Sequence, residues 1–470
     1  VDPSSSLVEY YRSPDVRARI AEYCGGSPGD PERFGACNLA AYGGRAARHE
    51  PEGAPVLAAV SDFFQVLEEG ADICRSLEDR RGLLVQLDVD YVHPADPAEP
   101  YRAPFHCFAR LEPVYHAVRE AFAAYGLQPL ALITGRGYHF TIRVPEEGAF
   151  YRELRAAGRP AAALRTRYLG LRRQRPALTA RGEAHDGAGR LLEHFVHGLL
   201  RTLRGRTQVP VAAADVAPPG RGPYACLDLS AYGDPLDVRN ARCAFSANQK
   251  PAQIGIAGAP PFVIVLPRRG ATLLELLEAR EDLPRAAQLA AAGSARIPDV
   301  YEAPGWAAAY RSSREATLDA AFEEAPETPP ASATPPLPAC ARLPLEWPNP
   351  HLLMPVYLRA VTVGLWNRGW PPSAIAERVA RVYREDHGWG GLWDRYDPDT
   401  RARFYVRLFA NLLRCGLEGA EGFTCAAQAA RGACPDAGCG FDLGRLFEDV
   451  PRGAPADARS APSAREGARA

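Results

Sequence analysis

The fold is decided by LLVQLDVDYVHP, residues 83–94. Leu83 to Leu87 is a short apolar run, the pattern of a strand buried in a sheet. It ends in Asp88-Val89-Asp90, and Pro94 stops it. Side chains alternate along a strand, so Asp88 and Asp90 project to one face while Val89 turns to the core. Two carboxylates held together repel unless cations sit between them. That makes the pair a good ligand set for Mg²⁺ or Mn²⁺. Such a pair is also common at solvated strand ends, so its meaning rests on its neighbours.

Working outward, residues 111–125 read as an amphipathic helix, with Val114, Val118, Ala121, Phe122 and Tyr125 at helical spacing and Gly126 as its C-terminal stop. Leu130 to Ile133 reads as a strand, Gly135-Arg136-Gly137 as a tight turn and Tyr138 to Val144 as the returning strand. The turn lies within TGRGYHF, residues 134–140. A glycine turn exposes backbone N–H groups to an anion. Arg136 at its tip and His139 on the returning strand add groups suited to a nucleoside triphosphate. A helix over about 190–203 follows, then candidate strands at Tyr224–Leu229, Ala241–Ser246 and 262–266.

YACLDLSAYGDPLDVRNARCAFSANQKP, residues 224–251, is the third chemical element. Asp228 is embedded in an apolar strand pattern, where a charge is costly unless paired or metal-bound. Arg239, Arg242, Ser246 and Lys250 follow. Among 55 basic residues Lys250 is the single lysine, which marks it as a position where a compact point charge is wanted. Three carboxylates and a group of cations are what two-metal nucleotidyl transfer needs: the carboxylates for the metals, the cations for the triphosphate.

In this order the three elements resemble the archaeo-eukaryotic primase superfamily. Its members include small catalytic primase subunits, plasmid and phage primase-polymerases, and the polymerase domain of bacterial end-joining ligases. The matching motifs are LDVD at 87–90, GYH at 137–139 and LD at 227–228, within roughly residues 80–255. The resemblance implies an α+β fold: an RRM-like catalytic core with an N-terminal α/β module. It implies that Asp88, Asp90 and Asp228 bind the catalytic Mg²⁺ or Mn²⁺. His139, supported by Arg136, would contact the incoming triphosphate, and Arg242, Ser246 and Lys250 would lie on the basic strand facing it. Gly137 stands where the family often has serine, and Thr134 is the nearby hydroxyl. Cys24, Cys37 and Cys107 are too scattered for the zinc knuckle of many small subunits. The implied activity is primer synthesis or extension on a single-stranded DNA template. An extension-only repair polymerase, a non-catalytic DNA-binding replication protein and a metal-dependent nuclease are the rivals. No helicase Walker motif occurs, so a helicase partner would be a separate protein.

The flanks read differently. Val16 to Tyr23 and about Val56 to Leu77 are expected as helices. Residues 1–300 form the expected catalytic domain. Residues 301–350 are expected as a Pro-rich linker region, most marked over 325–350. Residues 351–450 are expected as a small α-helical domain, with Ser373 as an N-cap, and 451–470 as a disordered tail. Cys415, Cys425, Cys434 and Cys439, spaced C-x9-C-x8-C-x4-C, suit Zn²⁺ or a [4Fe–4S] cluster. FTCAAQAARGACPDAGCGF, residues 423–441, resembles the cluster-binding end of the large primase subunit. His194 and His197 share a helix face and read as structural. Trp366, Trp370, Trp389 and Trp393 read as core, and Arg165, Arg167, Arg172, Arg173 and Arg175 as a solvated face or a template-tracking run.

Composition sets the outer bounds. The chain has 470 residues, 47% hydrophobic and 24% charged, which fits two or three globular domains. A net charge of −1 neither favours nor excludes nucleic acid, because a local patch is enough. No apolar run approaches the roughly 20 residues of a membrane span. The N-terminus lacks a signal-peptide pattern, and the 11 cysteines read as thiols or metal ligands. A cytoplasmic setting is expected.

Overall fold

The computed structural model describes residues 3–26, 39–42, 56–58, 63–79, 81–173, 175–216, 218, 222–249, 251, 262–265, 270–325, 336–346, 354–385, 396–434 and 438–448. The architecture is mixed α+β, mostly helical. At its centre is a six-stranded mixed sheet made of β4 (Glu78–Asp79), β5 (Gly82–Val92), β6 (Leu130–Ile133), β7 (Gly137–Pro145), β8 (Val211–Ala213) and β9 (Tyr224–Asp228). The strand order is β6-β7-β5-β9-β8, with β4 paired to β5. All pairings in it are antiparallel except β8 with β9.

Strand β5 runs through the middle because its residues alternate in the way a two-faced strand requires. Leu83, Val85, Leu87, Val89 and Tyr91 are buried on one face, and Gln86, Asp88 and Asp90 share the other. Two long helices pack on this sheet, Pro104–Ala124 and Leu178–Leu203. The first buries Cys107, Phe108, Leu111, Val114, Val118 and Phe122, a stripe at helical period. The second begins twelve residues before the expected 190 and lies backbone to backbone against the helix Ala149–Ala157. Gly187 makes that approach possible, since a Cβ there would sit 1.9 Å from the Leu154 carbonyl oxygen.

A second sheet, order β10-β3-β1-β2, joins β1 (Leu39–Tyr42), β2 (Val56–Ala58), β3 (Asp72–Ser76) and β10 (Asn240–Arg242). The helix expected over Val56 to Leu77 is therefore corrected to strand, the short helix Phe63–Glu68, then strand. Gly70, at φ 67°, ends that helix, and the five residues of β3 are all buried between sheet neighbours. The single strand expected at Ala241–Ser246 is also corrected. Phe245 adopts φ 61° and breaks it, leaving β10 and a two-residue strand β11 (Ala247–Asn248) paired to β12 (Phe262–Val263). Tyr11, on the helix Pro3–Arg12, pins this bend: its hydroxyl donates to Ala71 O at 2.9 Å and accepts from Ala247 N at 2.8 Å.

Residues 301–350, expected as a linker, hold helices at Pro304–Arg311, Arg314–Glu324 and Ala339–Glu346. Composition misleads there because a few buried anchors outweigh the prolines. Trp306, fully buried, packs against Phe122, Tyr125, Phe150 and Phe195. Residues 326–335 and 347–350 lie outside the described residues, as does the tail 451–470. The helices Pro355–Asn367, Pro372–Arg384 and Pro398–Arg414 complete the chain's helical layer. Pro371, not Ser373, is the N-cap of the second, and Ser373 is buried within its first turn. This layer shares the hydrophobic core of the sheet rather than standing apart from it. Its polar anchors are buried as well: Arg407 pairs with Asp319 at 2.8 Å and Glu193 at 3.1 Å, and Asn411 donates to both. Among the described residues no helix is long and apolar enough to cross a membrane.

Candidate functional site

Register places the chemistry. Across β7, β5 and β9, His139, Asp88 and Asp228 are direct neighbours in one row. One step along, Asp90 stands opposite Gly137 on one side and Cys226 on the other. Three segments far apart in sequence thus deliver an imidazole and three carboxylates to adjacent positions on the central strands. Gly137 matters sterically: a Cβ would lie 1.8 Å from the Val89 carbonyl oxygen, so a side chain here would force β7 away from β5 beside the site.

The row is half-buried. Asp88 keeps 30% of its side chain exposed and His139 16%, with His139 Nε2 3.5 Å from Asp88 Oδ1. Gln86 Nε2 donates to Asp88 Oδ1 at 2.8 Å, and Thr141 Oγ1 donates to Gln86 Oε1 at 3.2 Å. Asp228 accepts from the backbone N–H and hydroxyl of Ser230, at 2.8 and 3.1 Å. Arg136 Nη2 holds Asp90 Oδ2 at 2.5 Å, and that carboxylate raises the guanidinium's pKa. Nδ1 of His139 is buried without a hydrogen-bond partner.

These carboxylates carry more negative charge than their surroundings balance. Burial, then the neighbouring Asp90 and Asp228, push the Asp88 carboxyl up to about 6, against the pull of His139. Burial and Asp90 likewise raise Asp228, although the Ser230 N–H opposes them. A cluster whose acids resist ionising fits divalent cations, which would relieve the repulsion.

The basic strand divides. Arg242 reaches Asp72 Oδ2 at 2.5 Å and Ala247 O at 2.9 Å. Burial raises the Tyr101 hydroxyl's pKa, with Arg136 and Arg242 both pulling it down. Ser246 is a correction. It is fully buried, accepting from Ile73 N at 2.6 Å and donating to Ala247 O at 3.1 Å, so its hydroxyl shapes the bend and does not face a triphosphate. Lys250 lies outside the described residues. Thr134, the alternative hydroxyl, donates to Gly137 O within the turn.

The expected cysteine quartet is regrouped. Cys415 lies against Glu315, its Sγ 3.6 Å from Oε1, and burial followed by that carboxylate pushes its thiol up to about 12. Burial, followed by Cys434, Cys439 and Cys425, pushes the Cys340 thiol up to about 12. Cys425 is raised by burial, Asp442, Cys434 and Cys439. Cys340 was missed because it lies in a proline-rich run that reads as linker, 85 positions before Cys425. Gln86, Tyr101 and Ser230 were also missed; for Ser230 the signal was its place two residues after Asp228. Cys24 and Cys107 are buried core thiols, and Cys37 lies outside the described residues.

No family model, curated protein or solved structure matches this chain.

Proposed function

We propose that the protein is a primase-polymerase of the archaeo-eukaryotic type, a nucleotidyltransferase that makes or extends short chains on single-stranded DNA. The observation that carries this reading is the row His139–Asp88–Asp228 with Asp90 and Arg136 one step along. An RRM-like description of the core is supported by its β-α-β-β-α-β order and by the sheet order β6-β7-β5-β9.

Asp88, Asp90 and Asp228 would hold Mg²⁺ or Mn²⁺, and their excess negative charge fits that role. When bound, such ions acidify a 3′-hydroxyl and offset charge on the departing pyrophosphate. The chain's own residues supply position. Gln86 and Ser230 fix the orientation of the carboxylates they contact. His139, 16% exposed within the row, would donate to a phosphate oxygen, and Arg136 and Arg242 would hold the triphosphate for in-line attack. Partners under this reading are the DNA template, nucleoside triphosphates and a separate helicase.

The thiols of Cys340, Cys425, Cys434 and Cys439 would hold a second inorganic centre. A zinc tetrahedron with Zn–S near 2.3 Å draws its sulfurs to about 3.8 Å apart. Four thiols also suit the larger [4Fe–4S] cluster, and that is the reading carried forward.

The test is synthesis on unprimed single-stranded DNA with labelled NTPs or dNTPs and Mg²⁺ or Mn²⁺, beside Asp88→Ala. Template-dependent products that vanish in the variant are expected. Extension only from an added primer would redefine the protein as a gap-filling polymerase. No synthesis, with DNA binding indifferent to Asp88→Ala, would leave a binding protein.

A further inference from the structure

A second cluster of ligand-type side chains lies away from the catalytic row. His194 and His197 sit one turn apart on the helix Leu178–Leu203, Glu315 in the first turn of the helix Arg314–Glu324, and Cys415 at the C-cap of the helix Pro398–Arg414. His197 Nδ1 is 3.0 Å from Glu315 Oε1, and His194 Nδ1 is 3.2 Å from Oε2. Cys415 Sγ is 3.6 Å from Oε1. Donor atoms of His197, Glu315 and Cys415 all lie within 4.8 Å of one another, the one such group of three among the described residues. The side chains of His197 and Glu315 are 0% and 3% exposed.

We propose that His194, His197, Glu315 and Cys415 form a structural zinc site that clamps the C-terminal helical layer to the sheet-packing helix. The donor chemistry is that of zinc: two imidazoles, a carboxylate and a thiolate, four groups for a closed tetrahedral site. Placement supports it. The ligands come from three helices, His197 lying 118 and Cys415 100 residues from Glu315 in sequence, and the clamp joins them where Arg407, Glu193 and Asp319 already meet.

The competing account is a buried ion-pair hub, in which Glu315 is served by the two histidines and by Arg201, 2.9 Å from Oε1. Arg314 and Arg201 both pull the Cys415 thiol down against burial and Glu315. Nε2 of His197 is buried without a partner whether Nδ1 meets Glu315 or a metal, so the choice between the accounts turns on Arg201. Arg201 is 44% exposed and can leave for solvent when a dication takes the shared oxygen. The two accounts therefore disagree about Arg201: it competes with zinc, or it is needed by the hub.

The experiment is Co²⁺ titration of the chelator-stripped full chain carrying Cys425→Ser and Cys434→Ser, which disarm the other thiol group, with Cys415→Ser and Arg201→Ala added to that background in parallel. The background chain is expected to show a tetrahedral Co²⁺ spectrum with a single-thiolate charge-transfer band. Adding Cys415→Ser loses that band and one metal equivalent. Adding Arg201→Ala tightens Co²⁺ binding at this site by roughly tenfold, since it removes one competing charge-assisted contact. Chelator lowers the melting temperature of the background chain and leaves it unmoved once Cys415→Ser is added. Retention of the band and stoichiometry in Cys415→Ser would overturn the proposal. So would an Arg201→Ala variant that melts earlier with unchanged Co²⁺ affinity, which is the signature of the ion-pair hub.

Discussion

The carboxylate row and the C-terminal cysteines were both expected from spacing, yet only the row's residues come together in the structure. Asp88, Asp90, His139 and Asp228 lie on strands whose period-two pattern fixes which way each side chain points, and pairing then brings them together. Cys415, Cys425, Cys434 and Cys439 lie on and between helices, where direction depends on packing against distant segments. Cys415 lies against Glu315, while the other three act electrostatically on the Cys340 thiol. Local proximity in sequence predicts a shared face within a strand. It does not predict a shared ligand sphere across helix ends.

The sharpest way to break this comparison is to remove a carboxylate from the row. Asp228→Ala should lower nucleotide incorporation on the order of a thousandfold, since a metal ligand supplies several kcal/mol of transition-state stabilisation. Steady-state incorporation assays check it, and a loss under threefold would remove Asp228 from the site. On the other side of the comparison, Cys340→Ser should abolish iron and its visible absorbance in anaerobically purified protein as fully as Cys434→Ser does. Cys415→Ser should leave both intact. If Cys415→Ser loses the iron instead, the regrouping fails.

Smaller effects test how the row is built. Gly137→Ser introduces the serine often found in the superfamily this chain resembles, yet its Cβ would meet Val89 O. It should cost up to about 3 kcal/mol in chemical denaturation, through forced separation of β7 from β5. An unchanged midpoint would mean the strands yield easily. Ser246→Ala strips the acceptor from the buried Ile73 N–H and should cost about 2 kcal/mol while leaving the KM for nucleotide unchanged. A raised KM with unchanged stability would return Ser246 to the triphosphate.

The smallest effect is a pH signature. The Asp88 pKa of about 6 in the folded chain exceeds the usual value of about 3.9. The folded state thus holds this proton more tightly, and the resulting stability is present below about pH 4 and lost as pH rises through about 6. Without divalent metal, and with the full shift discounted because the Asp88 side chain is 30% exposed, Asp88→Asn should be more stable than wild type by about 1 kcal/mol at pH 7.5, with the difference gone near pH 4. Melting curves across that range decide it, and equal curves would mean the Asp88 charge is already balanced.

Much of the sheet was legible: β5, β6, β7 and β9 fall where apolar runs and turns put them, because each carries its own pattern. The helix expected over Val56 to Leu77 was not, since Asp72–Ser76 is buried on all sides and has no alternation to read. The bend at Phe245 depends on Tyr11, far away in sequence, and the helices within 301–350 depend on the pocket that takes Trp306. At the site, residue types and order identified the carboxylates, His139 and Arg136. The hydroxyl of Ser246 looked chemical and proved architectural, a difference that only its backbone partners reveal.

The central claim is that Asp88, Asp90 and Asp228 hold catalytic divalent cations beside a nucleotide. Anomalous diffraction from crystals grown with Mn²⁺ and a non-hydrolysable nucleoside triphosphate tests it most directly. The account predicts manganese peaks within ligand distance of these three carboxylates, with the triphosphate reaching toward His139 and Arg136. Manganese absent from that row, or a triphosphate bound elsewhere with Arg136 still on Asp90, would contradict it.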